Sequence, residues 1–346
     1  MTEVQEKAMP SIFEGEDVLV SAQTGTGKTA AFSIPIINNI LKEKERFKIR
    51  GLIISPTREL AVQIHENILA YCKYTNIRSL ALFGGIKESY QKQKLNQGVD
   101  IVVATPGRLL DFIKQKVINL KQLNFFVLDE VDRMLDMGFI TDINKIISYI
   151  PKTRQSMLFS ATIPDEIKQL SLNILNFPKE IYVDSKEVCV IYQEIYFIDQ
   201  INKLYLLKDI IKHEKMESVL VFCRTKLAAQ KTSNFLRGNN ISSDAIHGDK
   251  SQIERQKALK DFKNKKIQSL VATDVAARGI DIELLSNVIN FDMPNDYDTY
   301  IHRIGRTARN KNDGRATSFC SVDEMECFNK IKENNEELIE KEHKYK

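Results

Sequence analysis

Short, near-continuous apolar runs recur along the first half of the chain. They are Asp17-Val18-Leu19-Val20, Leu52-Ile53-Ile54-Ser55, Ile101-Val102-Val103-Ala104, Phe125-Phe126-Val127-Leu128 and Met157-Leu158-Phe159-Ser160. Runs of this length without alternation suit strands buried on both faces of a parallel sheet. Between them lie stretches with helical spacing, such as Glu59 to Ala70. Strand–helix–strand repetition predicts an α/β fold. The pattern pauses near Pro178 to Val190 and resumes with Tyr196-Phe197-Ile198, Val219-Leu220-Val221-Phe222, Leu270-Val271-Ala272 and Val288-Ile289-Asn290-Phe291. Two similar α/β units are expected, residues 1–183 and 191–346, joined by a linker at 184–190.

Composition agrees with two globular units. The chain has 346 residues, 43% hydrophobic and 28% charged, enough for about two domains at roughly 100–200 residues each. No apolar run approaches the roughly 18 residues that span a membrane, and Met1-Thr2-Glu3-Val4-Gln5 lacks a signal-peptide core. Cys72, Cys189, Cys223, Cys320 and Cys327 are scattered, without C-x-x-C spacing. That argues against a disulfide scaffold or zinc finger and for a reducing compartment. A cytoplasmic monomer without membrane attachment is expected. The net charge of +4 permits a polyanionic partner without requiring one. The charged runs Lys42–Arg50 and Lys330–Lys346 read as solvated helix faces and ends.

The candidate chemistry begins after the first apolar run. Ala22-Gln23-Thr24-Gly25-Thr26-Gly27-Lys28-Thr29 has the Gly-Lys-Thr ending of a phosphate-binding loop, with Ala22 where that pattern has its first Gly. Its glycines let backbone N–H groups converge on phosphate oxygens at a helix N-terminus. Lys28 can reach the β and γ phosphates, and Thr29 can ligate Mg²⁺. Asp129-Glu130-Val131-Asp132 ends another buried strand, where carboxylates are costly to desolvate without a task. In a nucleotide site Asp129 would hold Mg²⁺ and Glu130 would activate water.

With these residues in place, the chain resembles the DEAD-box ATP-dependent RNA helicases, with two tandem RecA-like domains, each a mostly parallel sheet flanked by helices. Val131 stands where the family has Ala. Thr2-Glu3-Val4-Gln5 resembles the end of the family's adenine-reading motif. Pro56-Thr57-Arg58-Glu59-Leu60, Gly84-Gly85 and Thr105-Pro106-Gly107-Arg108 resemble its RNA-contacting motifs, and Ser160-Ala161-Thr162 its coupling motif. The order of the set carries the assignment. The resemblance implies adenine contact for Gln5, RNA contact for Pro56, Arg58, Gly84, Gly85, Thr105 and Arg108, and coupling for Asp132, Ser160 and Thr162. A Gln amide matches the adenine donor–acceptor pair, glycines admit a close backbone, and arginines bind phosphate.

In the second half, Ala272 to Asp281 resembles the motif that touches RNA and nucleotide. It implies RNA contact for Thr273, a γ-phosphate neighbour in Gly279 and a ribose contact for Asp281. Arg224, Gln252 and Arg255 resemble further RNA contacts. His302-Arg303-Ile304-Gly305-Arg306-Thr307-Ala308-Arg309 is strongly basic. Arg306 and Arg309 are three apart, so on a helix they share a face and suit a γ phosphate. Such a finger accelerates related hydrolases by roughly 10³–10⁵. His302 resembles the family's coupling histidine.

The expected activity is RNA-stimulated ATP hydrolysis with ATP and Mg²⁺. It is coupled to domain closure, sequence-independent RNA binding, and local unwinding of short duplexes or remodelling of RNA–protein complexes. No motif names a protein partner. Met1 stands where the family's adenine motif has Pro, and no upstream aromatic residue is present to stack on the base, so weaker adenine stacking is expected. Asn310-Lys311-Asn312-Asp313 matches a guanine-reading pattern, but it does not follow a buried strand and is set aside. Two other readings are an RNA clamp without turnover, disfavoured by intact Lys28, Glu130, Arg306 and Arg309, and a DNA-directed translocase, disfavoured by Gln5 and the acidic box.

Overall fold

The computed structural model describes residues 1–346 except 24, 43–47, 184–190, 278–284, 308–312, 336 and 346, and does not describe the side chains at 252, 275, 277 and 298. The chain divides into two compact units, Met1–Ser185 and Lys186–Lys346. The expected linker, 184–190, lies outside the described residues.

In the first unit the strands are β1 (Val18–Ser21), β2 (Gly51–Ile54), β3 (Ser79–Leu82), β4 (Ile101–Ala104), β5 (Phe125–Asp129), β6 (Gln155–Ser160) and β7 (Lys179–Tyr182). They form one sheet in the order β3-β4-β2-β5-β6-β1-β7, with every pair parallel. The second unit contains β8 (Ile191–Phe197), β9 (Val219–Phe222), β10 (Ser243–Ile246), β11 (Ser269–Ala272), β12 (Asn287–Asn290), β13 (Gly314–Cys320) and β14 (Ile339–Glu340). Its sheet runs β10-β11-β9-β12-β13-β8-β14, also parallel. Counted from the start of each unit, the two orders are identical. The fold is therefore one α/β topology used twice, as expected of tandem RecA-like domains.

The continuous apolar runs are explained by burial on both faces. In β2, Leu52 and Ile54 face one core with Phe126, Leu128 and Leu158. Ile53 faces the other with Val103, Val127 and Phe159. Both sides are covered, so both register positions of β2 are filled by apolar side chains. The second unit repeats this, with Val219 and Val221 in one core and Leu220 and Phe222 in the other.

The structure corrects the sequence reading in two places. The pause at 178–190 contains β7, an edge strand whose burial alternates. The basic tail is not a solvated helix end throughout. Ile339–Glu340 joins the sheet beside β8, His343 Nε2 lies 2.6 Å from Phe197 O, and Tyr345 Oη donates to Asp209 Oδ2 at 2.5 Å.

Parallel strands put all their carboxyl ends on one edge, where loops in such sheets collect ligands. Each unit therefore has one such edge, and the described candidate residues that follow a strand lie along it.

Candidate functional site

The phosphate loop leaves β1 and enters the helix Lys28–Lys42. Ala22 N donates to Ser160 O at 2.9 Å, which ties the loop to the end of β6. Gly25 and Gly27 have φ of +82° and +91°, a region that glycine reaches without strain. Lys28 is buried, and its Nζ donates to Ala22 O at 2.9 Å, arching over its own loop. Thr26 Oγ1 donates to Gln23 O at 2.8 Å. Thr29 is half-buried on the first helical turn, and Thr24 lies outside the described residues.

Gln5 comes from a different element, the helix Glu3–Glu14, where it forms a capping box with Thr2. Its Nε2 donates to Gly27 O at 3.2 Å and its Oε1 accepts from Thr2 N at 3.1 Å. A Cβ added to Gly27 would approach Gln5 Nε2 to 2.5 Å. The amide is thus engaged with the phosphate loop itself.

The acidic box closes β5. Asp129 is buried, and burial pushes its carboxyl up to about 6; Lys28 opposes that rise and the neighbouring Glu130 adds to it. Glu130 has φ +56°, a left-handed conformation uncommon outside glycine. It caps the short helix Val131–Asp136, and its Oε2 accepts from Arg133 Nη1 at 2.8 Å. Asp132 Oδ2 accepts from Ala161 N at 3.0 Å and Thr162 N at 3.2 Å, while Ser160 Oγ accepts from Asp132 N at 3.1 Å. The acidic box and the Ser160–Thr162 motif are therefore one hydrogen-bonded unit. Sequence reasoning missed Arg133; the available signal was an arginine one helical turn beyond a carboxylate.

These groups sit on the neighbouring strands β5, β6 and β1. They suit a nucleoside triphosphate with a divalent metal, because a hard cation such as Mg²⁺ takes one or two protein oxygens and completes its shell with phosphates and water. Asp129, buried beside Lys28, could supply one such oxygen, and Thr29 the other.

The other half of the edge, β2, β4 and β3, carries a second group. Thr57 caps the helix Arg58–Tyr71, its Oγ1 accepting from Leu60 N at 3.3 Å. Pro56 is buried just before it. Arg58 lies over the glycine pair that follows β3: a Cβ at Gly84 would meet its Nη2 at 3.0 Å, and one at Gly85, where φ is +86°, would overlap its Nη1. The glycines first make room for Arg58. Thr105 N donates to Leu82 O at 2.9 Å, and Pro106–Lys114 begins there. Arg108 stacks on the Phe112 ring at 5.4 Å. Its Nη1 is buried without a hydrogen-bond partner among the described residues, an uncommon state for a charged donor.

In the second unit, Arg224 follows β9. Its N donates to Asp292 Oδ2 at 2.8 Å and its Nη2 to Glu324 Oε1 at 3.0 Å, so this arginine is already ion-paired within its own unit. Thr273 is buried at the end of β11. Arg255 Nη2 lies 3.5 Å from Ala276 O, on the turn after Thr273. Gly279, Asp281, Arg309, the guanine-like 310–312 and the Gln252 side chain lie outside the described residues. The helix Tyr297–Ile304 stops at Gly305, whose N donates to Ile301 O at 2.8 Å. His302 is exposed on this helix, while Arg306 is buried in the turn beyond it. Arg306 therefore lies in the turn beyond the helix and not on it, and the expected pairing with Arg309 falls outside the described residues.

Two further residues escaped the sequence reading. Arg303 is buried and grips both oxygens of Asp274 at 2.6 and 2.8 Å, with Nη1 on Asn290 Oδ1 and Asp292 O. It ties the turn after β11 to the basic helix. Lys226 opens the helix Lys226–Gly238 behind a capping Thr225, and a Cβ on Gly248 would meet its Cε at 3.2 Å. This repeats Thr57, Arg58 and the glycine pair in the equivalent place after β9 and β10; the signal was the internal repeat.

Comparison with known proteins places these features in a family. Residues 2–170 match the family model described as DEAD/DEAH box helicase, and residues 202–311 match that of the helicase conserved C-terminal domain. The ATP-dependent RNA helicase CshA of Listeria monocytogenes is 40% identical over 341 residues, which cover 98% of this chain and 65% of that protein. CshA of Limosilactobacillus reuteri is 40% identical over 332 residues, covering 95% of this chain and 66% of that one. The chain thus spans about two thirds of the length of these relatives. Among solved structures, S. cerevisiae Dbp5 bound to RNA and ADP BeF3 matches with a TM-score of 0.84 and 30% identity, over 98% of this chain and 89% of that one. Mss116 bound to ssRNA and UDP-BeF matches with a TM-score of 0.85 and 29% identity, over 99% and 75%.

Proposed function

This chain belongs to the DEAD/DEAH box helicase family, and on that premise we propose that it is an ATP-dependent RNA helicase. It would couple RNA-stimulated ATP hydrolysis to RNA binding and local strand separation or remodelling of RNA–protein complexes. The observation that carries the proposal is the division of one sheet edge. Lys28, Asp129 and Glu130 occupy the ends of β1 and β5, and Arg58, Gly84, Gly85, Thr105 and Arg108 follow β2, β3 and β4. The Asp132 bonds to Ala161 and Thr162 fix the acidic box to the end of β6, the strand between β5 and β1.

In this reading the loop N–H groups and Lys28 bind the phosphates of ATP, and Asp129 with Thr29 would hold Mg²⁺. Bound there, the metal ion would draw charge from the phosphoryl oxygens. Glu130 orients or deprotonates the attacking water. Asp132 holds Ser160–Thr162 in register with the acidic box, so a change at the nucleotide is felt at the end of β6. Arg306, Arg309, Gly279 and Asp281 of the second unit join the nucleotide when the units close. His302 supports the coupling. Thr273, Arg255, Gln252 and Arg224 complete an RNA groove with the first-unit residues. Arg224 must then leave or share Glu324. The similar proteins are named RNA helicases or were solved bound to RNA, which supports RNA over DNA.

The test is phosphate release with matched RNA and DNA oligonucleotides. Stimulation by RNA at least about tenfold greater than by DNA is expected, falling with salt as phosphate contacts are screened. Equal stimulation by DNA, or none by either, overturns the proposal. Base selection is tested separately. Gln5→Ala should reduce the preference for ATP over GTP by about tenfold, the value of roughly one hydrogen-bonded recognition element, while Asp313→Ala should leave it unchanged. Because Gln5 also bonds Gly27 O, a weaker affinity for both nucleotides should accompany the loss. An Asp313→Ala variant with reversed preference would restore the guanine motif as the base reader.

A further inference from the structure

We infer that Arg133 is the positioning residue for Glu130, gripping its carboxylate through Oε2 so that Oε1 is left to orient the attacking water. The inference rests on the reading of Glu130 as the water-handling carboxylate. Four observations support it. Arg133 Nη1 lies 2.8 Å from Glu130 Oε2, with the two side chains only 9% and 8% exposed. Glu130 takes a left-handed backbone, φ +56° and ψ +56°, at the start of Val131–Asp136, and the single turn that follows returns Arg133 to its carboxylate. The three carboxylates of the box have separate partners: Asp132 takes the N–H groups of Ala161 and Thr162, Asp129 takes Glu130 N at 3.1 Å and lies in the field of Lys28, and Glu130 takes the guanidinium. Finally, Glu130 Oε1 accepts no hydrogen bond among the described residues, although the side chain is buried.

A glutamate side chain has several staggered conformers of similar energy. An ion pair out of bulk water selects one of them strongly, because the attraction is weakly screened there. A catalytic base displaced by about 1 Å can lose about two orders of magnitude in rate. The Arg133 guanidinium is bonded to the Glu130 carboxylate itself. It acts through Glu130, and its effect should fall on turnover and not on nucleotide binding. Since one Nη1 makes the contact, an ammonium of similar reach should serve in part.

The experiment compares wild type, Arg133→Met, Arg133→Lys, Glu130→Gln and Glu130→Gln/Arg133→Met by RNA-stimulated phosphate release and by thermal unfolding without ligand. Arg133→Met should lower kcat by about 30-fold with KM for ATP changed less than about threefold. Arg133→Lys should recover kcat to within about fivefold of wild type. In the Glu130→Gln background, Arg133→Met should cost no further kcat, since the residue it positions is gone. Thermal unfolding should show the pair directly: Arg133→Met lowers Tm by about 5 °C, and the added Glu130→Gln returns most of it by removing the unpaired charge. If Arg133→Met raises KM with kcat unchanged, or its loss simply multiplies with that of Glu130→Gln, the inference is wrong. An inactive wild type would overturn the helicase reading together with this one. An active wild type with an indifferent Arg133→Met overturns this inference alone. Should Arg133→Met fail to fold, Arg133→Lys decides: kcat within fivefold with unchanged KM supports the assignment, and a KM effect alone rejects it.

Discussion

Glu130→Gln is expected to bind ATP within about threefold of wild type, yet to lose RNA-stimulated hydrolysis by at least about 10²-fold, the lower end of what a positioned general base contributes. The substitution is nearly isosteric. A Gln carbonyl oxygen can still accept from Arg133 Nη1, which now lies 2.8 Å from Oε2, so the left-handed turn and the Val131–Asp136 helix should persist. Lys28 and Asp129, which hold phosphate and metal in the proposed mechanism, are untouched. What is lost is the proton acceptor. Because the ATP-bound form would no longer turn over, RNA should stay bound in the presence of ATP, with a dissociation rate slowed in proportion to the lost hydrolysis. Nucleotide affinity by equilibrium titration, phosphate release under saturating RNA, and RNA dissociation after a chase together check this. Steady-state hydrolysis at the wild-type rate would remove Glu130 from the chemistry. Rapid RNA release despite blocked hydrolysis would instead separate hydrolysis from RNA release.

What the sequence disclosed, and what it hid, follows from where each interaction is made. The central strands β2, β4, β5 and β9 are buried on both faces, so every position but the terminal Asp129 of β5 is apolar and the run is visible. β13 is equally central but reads as Gly-Arg-Ala-Thr-Ser-Phe-Cys. Its polar residues are matched inside the sheet, with Asn290 Nδ2 donating to Ser318 Oγ at 3.0 Å and Arg315 bidentate on Glu194. No periodicity reveals a polar strand whose partners are 28 and 121 residues away. β7 and β14 are edge strands and need only partial burial. The phosphate loop and the acidic box were legible because each is local: a few consecutive residues at a strand end carry the chemistry. The pairings of Arg58 with Gly84–Gly85 and of Arg303 with Asp274 were not, since they join segments that follow strands two places apart in the folded sheet, β2 and β3 across β4, and β12 and β11 across β9. Gln5 was singled out by the resemblance of Thr2-Glu3-Val4-Gln5 to an adenine-reading motif, but its hydrogen bond to Gly27 belongs to the packing of the first helix against the loop.

Arg309→Ala is expected to leave ATP affinity without RNA nearly unchanged and to cut RNA-stimulated hydrolysis by about 10³-fold, the lower bound for an arginine finger, or about 4 kcal/mol of transition-state stabilisation. Lys28 belongs to the unit Met1–Ser185 and Arg309 to Lys186–Lys346. Each unit has its own sheet and its own cores, so the two residues can serve one γ phosphate only in a form in which the carboxyl edges of the two units meet on the nucleotide. A contact made only in the closed form contributes nothing to binding in the open form, and it adds its full value to the equilibrium between them, since a ligand shifts that equilibrium only by its differential affinity. ATP-dependent tightening of RNA binding should therefore decline together with kcat. Arg309→Lys should restore only part of the activity, because a point charge cannot reproduce the planar fork that meets a phosphoryl group through two parallel hydrogen bonds. Arg306 gives an internal comparison. It is buried in the turn after the basic helix, so Arg306→Ala should lower the thermal stability of the second unit as well as turnover, whereas Arg309→Ala should affect turnover with Tm held. Equal losses of ATP affinity and of turnover in Arg309→Ala, or no loss of either, would mean that the γ phosphate is sensed by a group within the first unit, and that closure is driven by RNA alone.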